Sequence, residues 1–233
     1  MLFLSQPRFG PSYRFDDTDL FTILDLLHVG KRVGRGRISN HLDMGEGSTR
    51  KLVELMREYD MLKVEQPGIT ITRFGKKVYE MTGMRLVDIS VPEHVIGEFQ
   101  TGVVMKNVSE KVGKGIEQRN AGIKSGGYGC TTWVVKDGDL FIAPAWNMSE
   151  HQPELSKAIM EQCGLEEGDT LIVGGGVLYP EITMLLPLVM PRDRTPKRLL
   201  ALTLRSAFST IMVLRNSLAF WIKNVAGLAY SPT

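Results

Sequence analysis

Between Asp16 and Gly30 the apolar residues Leu20, Ile23, Leu24 and Leu27, with His28, recur at helical spacing and predict a helix. Asp17 or Thr18 is placed to cap its start and Gly30 to end it. A short helix is expected over Arg37–Leu42. A third occupies MGEGSTRKLVELMREYDML, Met44 to Leu62, where Leu52, Val53, Met56 and Tyr59 share one stripe. Arg50, Lys51, Glu54 and Arg57 fall elsewhere on that helix. The period then changes to two. Leu62, Val64, Ile69 and Ile71 alternate with Lys63, Glu65, Thr70 and Thr72 around Pro67-Gly68, which predicts a strand, a tight turn and a strand. Phe74 to Met81 closes the unit as a short helix, so the pattern is that of a winged helix-turn-helix.

Beyond it, Gly83 to Gly97 has Pro92 and little periodicity and reads as a linker. Gly102–Asn107 predicts a strand, and Ser109–Lys124 a helix with Val112, Ile116 and Ile123 facing inward. Cys130–Val135 and Leu140–Ala143 are strands joined at Asp137-Gly138, a strong hairpin turn. Pro153–Cys163 is a helix and Thr170–Gly174 a strand, with Gly174-Gly175-Gly176 forming a loop at its end. Strands alternating with helices indicate an α/β arrangement. The expected fold class is therefore α+β and multidomain, a winged helix-turn-helix followed by an α/β sensor-like domain. The boundaries are 1–82 for the winged helix, 83–97 for the linker and 98–191 for a ligand-binding or oligomerisation domain. Residues 192–233 form an atypical basic and apolar tail, in which Asp193 is the only acid against seven arginines and lysines. That tail follows no clean stripe. It is expected to be poorly ordered, or to pack as an improvised helix between Leu199 and Ala226.

Composition narrows the classes. A chain of 233 residues, 43% hydrophobic, suits one or two globular domains, and a formal charge of +2 leaves the distribution of charge to decide the partners. Cys130 and Cys163 are the two cysteines and form no C-x-x-C element, which argues against a disulfide framework or a structural zinc site. The first residues lack the pattern of a signal peptide, and no uncharged apolar run reaches the roughly 18 residues of a spanning helix. A cytoplasmic protein with no transmembrane segment is expected.

In a helix-turn-helix the N-terminal residues of the second helix reach base edges in the major groove. Here these are Ser48, Thr49, Arg50 and Lys51. Hydroxyls sit close to the groove floor, while arginine or lysine pairs with guanine or a phosphate. Arg35 and Arg37, with Lys31 and Arg32, precede the turn, and Arg73, Lys76 and Lys77 follow the wing; they supply the electrostatic attraction to double-stranded DNA. The competing reading pairs Arg50, Lys51 and Arg57 with Glu46, Glu54 and Glu58 as a solvated face, the winged helix then serving to dock a protein.

In the second domain the run IEQRNAGIKSGGYGCTT carries two readings. Its glycines are ordinary helix-stop and strand-entry chemistry, with Glu117 and Arg119 tying helix to strand. Alternatively Glu117, Gln118, Arg119, Thr131 and Thr132 surround a small polar ligand. Enzyme signatures are missing. There is no phosphate-binding lysine loop and no H-E-x-x-H helix, and Tyr179 stands where a dinucleotide fingerprint needs its third glycine. His28, His41, His94 and His151 are dispersed, and Cys130 reads as a small packed residue. No catalytic residue, metal ligand or cofactor is expected.

GEGSTRKLVELMREYDML, followed by a wing and TRFGKKVYE, resembles the DNA-binding half of archaeal winged-helix transcriptional regulators. KVGKGIEQRNAGIKSGGYGCTTWVVKDGDLFI resembles the signature of a conserved archaeal C-terminal domain of unknown function joined to such a half. The likeness spans Thr18 to Gly174 and implies a cytoplasmic archaeal regulator with a sensor or oligomerisation domain. Its expected partners are double-stranded DNA, a small polar ligand and a second copy in a homodimer. After Gly176 the chain departs from the resemblance, which ends on a loop and one alanine-rich helix; Glu181-Ile182 reads as a remnant of that helix's start, before a divergent or frame-shifted end. Two other classes remain as alternatives: an α/β small-molecule enzyme that keeps a winged helix for docking, and a protein-interaction module.

Overall fold

The computed structural model describes residues 13–28, 32–124 and 127–176. Expectations for Gly30, Lys31, Gly126, Tyr179, Glu181-Ile182 and the tail from Arg192 lie outside the described residues.

The first helix, α1, spans Asp17–His28. Its cap falls one residue earlier than expected: the Asp16 carboxylate accepts from Thr18 N–H, and Asp19 reaches back to Asp16 N–H, both at 2.9 Å. This reciprocal pair satisfies two of the donors that a helix start leaves open. Helices α2 (Arg35–Leu42) and α3 (Glu46–Glu58), strands β1 (Leu62–Glu65) and β2 (Gly68–Ile71), and helix α4 (Arg73–Met81) complete the winged helix. Leu20, Ile23, Leu24 and Leu27 meet Ile38, Leu52, Val53 and Met56 in its core.

Tyr59 does not join the α3 stripe and is 53% exposed. The helix has already ended: Asp60 takes a left-handed conformation, and Met61 N–H returns to Met56 O at 2.9 Å. This stop motif swings Met61 into the core in place of Tyr59. Thr72 then caps α4 through Gly75 N–H, and the missing side chain of Gly75 is what lets α4 lie against the Met61 carbonyl.

The residues from 84 to 97 correct the expected linker. Met84–Val87 is strand β3, paired antiparallel with β4 (Phe99–Met105), and Ile89, Val91 and Val95 are buried beyond it. A 3-10 turn (Ser109–Lys111), α5 (Ile116–Lys124), β5 (Gly129–Lys136), β6 (Asp139–Ile142), β7 (Trp146–Asn147), α6 (Met148–His151), α7 (Pro153–Cys163) and β8 (Thr170–Gly176) follow. The six-stranded sheet has the order β3-β4-β8-β5-β6-β7. Helices flank this sheet, yet every neighbouring pair of strands runs antiparallel. β8 enters between β4 and β5 and is buried throughout. Gly174-Gly175-Gly176 is therefore strand, not loop; a methyl on Gly175 would lie 2.2 Å from the Ile96 carbonyl oxygen.

The two faces of the sheet do different work. Met84, Val103, Met105 and Ile172 join the core of the winged helix. Val104, Trp133, Val135, Leu171 and Val173 pack with Met148, Ile159 and Cys163 of α6 and α7. The winged helix and the sheet thus share apolar core, so displacing one exposes surface of the other.

Candidate nucleic-acid interface and its link to the sheet

The turn between α2 and α3 is set by the left-handed Asp43 and locked by Ser39, whose hydroxyl donates to Met44 O at 2.6 Å while Met44 N–H donates to Ser39 O. α3 then starts at Gly45 with no side-chain cap, and nothing lies within 4 Å of where a methyl would stand on Gly45 or Gly47. The first N–H groups of a helix carry positive partial charge and suit an anion. Arg50 and Lys51 are exposed one turn further on, and Ser48 is half-buried.

Thr49 corrects the expected reading set. It is 1% exposed, and both its N–H and its hydroxyl bond to Gly45 O. It stabilises the helix start from inside and presents nothing to a groove. Arg35, Arg37, Arg73 and Lys76 are all exposed. Val33 pairs with Ile69 beside the wing, which brings Arg32 within 3.7 Å of the Glu65 carboxylate; Lys63 lies 2.7 Å from the same group. The hydrogen bond and charge of Lys63 hold the Glu65 carboxyl below its ordinary pKa.

The five residues proposed around a ligand are not brought together. Glu117 and Arg119 face solvent and Gln118 is buried. Thr131 turns to the opposite face from Thr132, and its hydroxyl donates to His94 O at 2.6 Å. Thr132 is 3% exposed, and its hydroxyl has no hydrogen-bond partner among the described residues; Thr170 on β8 is in the same condition. α5 also turns opposite to expectation, exposing Ile116 and Ile123 and burying Gln118 and Gly122. The expected Ser109–Lys124 helix is broken before α5, where Gly115 has φ +71 and sits against Thr132 and Ala143. That break resets the helical phase.

A groove the sequence did not reveal lies on the other side of the sheet. Its volume is about 620 Å³, and Ser149, Ser156, Lys157, Met160, Glu161 and Leu165 are among its lining. The only sequence signal is the i, i+1, i+4, i+5 spacing of the four α7 residues, which reads equally as a solvated face.

Between the groove and the winged helix runs a set of bonds through β3. The Tyr79 hydroxyl of α4 donates to the Asp25 carboxylate of α1 at 2.6 Å, and Leu86 N–H of β3 reaches the same oxygen at 3.4 Å. Burial raises the Asp25 carboxyl above its ordinary pKa against the pull of those bonds. Burial first, then the Asp25 charge, pushes the Tyr79 phenol upward. Next to Leu86, the Arg85 guanidinium donates to Cys163 O at the end of α7, and the Gln162 amide donates to Asp88 O at 2.9 Å. Lys106 bonds Asp169 and Glu166, each at 2.8 Å, and these bonds raise its pKa. Burial lifts the Cys163 thiol to about 11.

Residues 18–84 match the family model of the CggR N-terminal DNA binding domain, and residues 96–181 match a domain of unknown function, DUF4443. No curated protein matches the chain. Among solved structures, a hypothetical protein from Pyrococcus horikoshii OT3 is 22% identical, with a TM-score of 0.60 over 86% of this chain and 100% of its own. That likeness shows a shared fold spanning both parts. A MarR/EmrR family transcriptional regulator from Acinetobacter sp. ADP1 is 21% identical over 29% of this chain and 49% of its own, with a TM-score of 0.26. Among the described residues no helix is long and apolar enough to cross a membrane.

Proposed function

We propose that the chain is a sequence-specific DNA-binding transcriptional regulator of the cytoplasm, with α3 entering the major groove and the wing lying alongside. The observation that carries this reading is the start of α3: Arg50 and Lys51 exposed beside an uncapped helix end cleared of side chains by Gly45 and Gly47. The match of residues 18–84 to a DNA-binding family model supports it. Arg35, Arg37, Arg73 and Lys76 add attraction to phosphate, while Ser48, Arg50 and Lys51 read bases. The second domain fixes the placement of the winged helix through the shared core and β3, and so communicates a bound ligand or a second copy in a homodimer. No catalytic step enters this reading.

Retardation of the protein's own upstream DNA in a gel, with unrelated DNA in excess as competitor, tests it. Specific fragments should stay bound, with footprints confined to short sites. Uniform displacement by competitor, or no retardation at low salt, overturns the proposal.

A further inference from the structure

We infer that the groove between α7 and the β5–β6 turn binds a small aliphatic α-amino acid as its zwitterion, and that β3 carries the occupancy of the groove to the winged helix. The second clause rests on the DNA-binding function proposed above; the first does not. The groove is open to solvent, and its volume of about 620 Å³ is enough to admit a small molecule. Lys157 and Glu161 stand one helical turn apart on α7, both exposed, and neither forms an ion pair among the described residues. Lysine placed four residues before glutamate is the less favourable orientation for a pair within a helix. Both charges therefore remain available to a ligand that carries the opposite two.

A zwitterion answers both: its carboxylate meets Lys157 and its ammonium meets Glu161. Glu166, two residues past the cap of α7, is held by Lys106 at 2.8 Å and adds a second acceptor for the ammonium. Met160 and Leu165 offer apolar surface to an aliphatic side chain. The Ser149 and Ser156 hydroxyls, 2.8 Å apart, give polar lining, with Ser149 fixed by accepting from Leu140 N–H at 2.9 Å. A simple amine or a simple carboxylate would satisfy one pole and leave the other charge without a partner.

Gly164, which also lines the groove, ends α7 in a left-handed conformation. The last turn of α7 is fastened to the region of β3 by Arg85 to Cys163 O and Gln162 to Asp88 O. Leu86, next to Arg85, bonds Asp25 of α1, which in turn holds Tyr79 of α4. A ligand that draws α7 toward the β5–β6 turn thus loads β3, and β3 loads α1 and α4, which share one apolar core with α3.

Calorimetric titration of the full chain with L-leucine, and separately with isoamylamine and 4-methylvalerate as its two half-ligands, tests the site. Leucine should bind saturably, about tenfold or more tighter than either half-ligand, because each lacks one charge-assisted contact. Lys157→Ala and Glu161→Gln should each weaken leucine by about tenfold or more. Absence of saturable binding, equal binding of isoamylamine, or leucine binding unchanged in both variants overturns the site. With operator DNA, leucine should shift affinity several-fold, and Arg85→Ala should abolish that shift while leucine still binds. Leucine binding with no shift overturns the link through β3. The leucine titration needs no DNA, so a chain that binds leucine but no DNA overturns the function proposed above and leaves the groove standing.

Discussion

Thr132→Val and Thr170→Val should each make the protein more stable. Both side chains are nearly inaccessible, at 3% and 0% exposure, and neither hydroxyl has a hydrogen-bond partner among the described residues. A buried hydroxyl without a partner costs about 1–3 kcal/mol, and valine puts a methyl in the same space. Allowing for an imperfect fit of that methyl, each replacement should gain about 1 kcal/mol. Thr132 lies opposite Ile172, and Thr170 is two residues before Ile172 on the same face, so the two sites are diagonal neighbours about 7–8 Å apart. Their effects should add to within about half a kcal/mol, giving about 2 kcal/mol for the double variant. In a domain of this size that raises Tm by about 4–8 °C. Urea unfolding followed by tryptophan fluorescence reads the difference, with Trp133 beside Thr132 as a buried reporter. A loss of about 1 kcal/mol or more in either variant would mean instead that the hydroxyl has a partner whose bond is worth more than its burial costs.

Thr49→Val should lower stability by about 1 kcal/mol, through loss of its bond to Gly45 O, and leave base preference unchanged in a binding-site selection; a changed preference would return Thr49 to the reading set. Asp25 has a raised pKa in the folded protein, so its contribution to stability is present below its ordinary value of 3.8 and is lost as pH rises through the folded value. Asp25→Asn should therefore remove a decline in stability that begins near pH 4 in the wild type; chemical unfolding across pH 3.5–7 checks this, and a variant clearly less stable than wild type at pH 7 contradicts it. Gly75→Ala places a methyl 2.2 Å from Met61 O, so it should cost about 3 kcal/mol or more, read as a lowered unfolding midpoint; near-wild-type stability would mean α4 can move off the wing at little cost. Glu65→Gln frees Lys63 and Arg32 and should tighten DNA binding several-fold at low salt, with the gain shrinking as salt rises. An unchanged affinity would place the wing away from the phosphates.

The winged helix was legible because its elements are local. The stripes of α1 and α3 each bury a face, and β1 and β2 pair across the short turn at Pro67, although Val64 is exposed and the alternation of β1 does not show in its burial. Tyr59 failed for a local reason too, since the residue that decides it is Asp60, whose left-handed conformation no stripe encodes. β3 is not legible because four residues carry too little alternation, and the strand exists only by pairing with β4 across a loop that anchors itself through buried Ile89, Val91 and Val95. The direction of α5 is set by the Gly115 turn against Thr132, a contact between segments well apart in sequence. Thr131 and Thr132 are adjacent in sequence, but adjacent residues in a strand point to opposite faces, so they cannot line one site. The groove is not legible because Lys157 and Glu161 look like any solvated helix surface, and only the fold brings the β5–β6 turn beside them.

The measurement nearest the central claim is fluorescence anisotropy of labelled upstream DNA, with wild type and the Arg50→Ala, Lys51→Ala and double variants, over a range of salt. A residue that reads a base should cost about 1–3 kcal/mol when removed and relax preference at one position. A residue that meets a phosphate should lower affinity uniformly and reduce the salt slope by about one. A clear loss of affinity is expected in both single variants and a larger one in the double variant, with unfolding midpoints unchanged because both side chains are exposed. A double variant that remains folded and binds the upstream DNA with wild-type affinity and salt slope would contradict the placement of α3 in the groove.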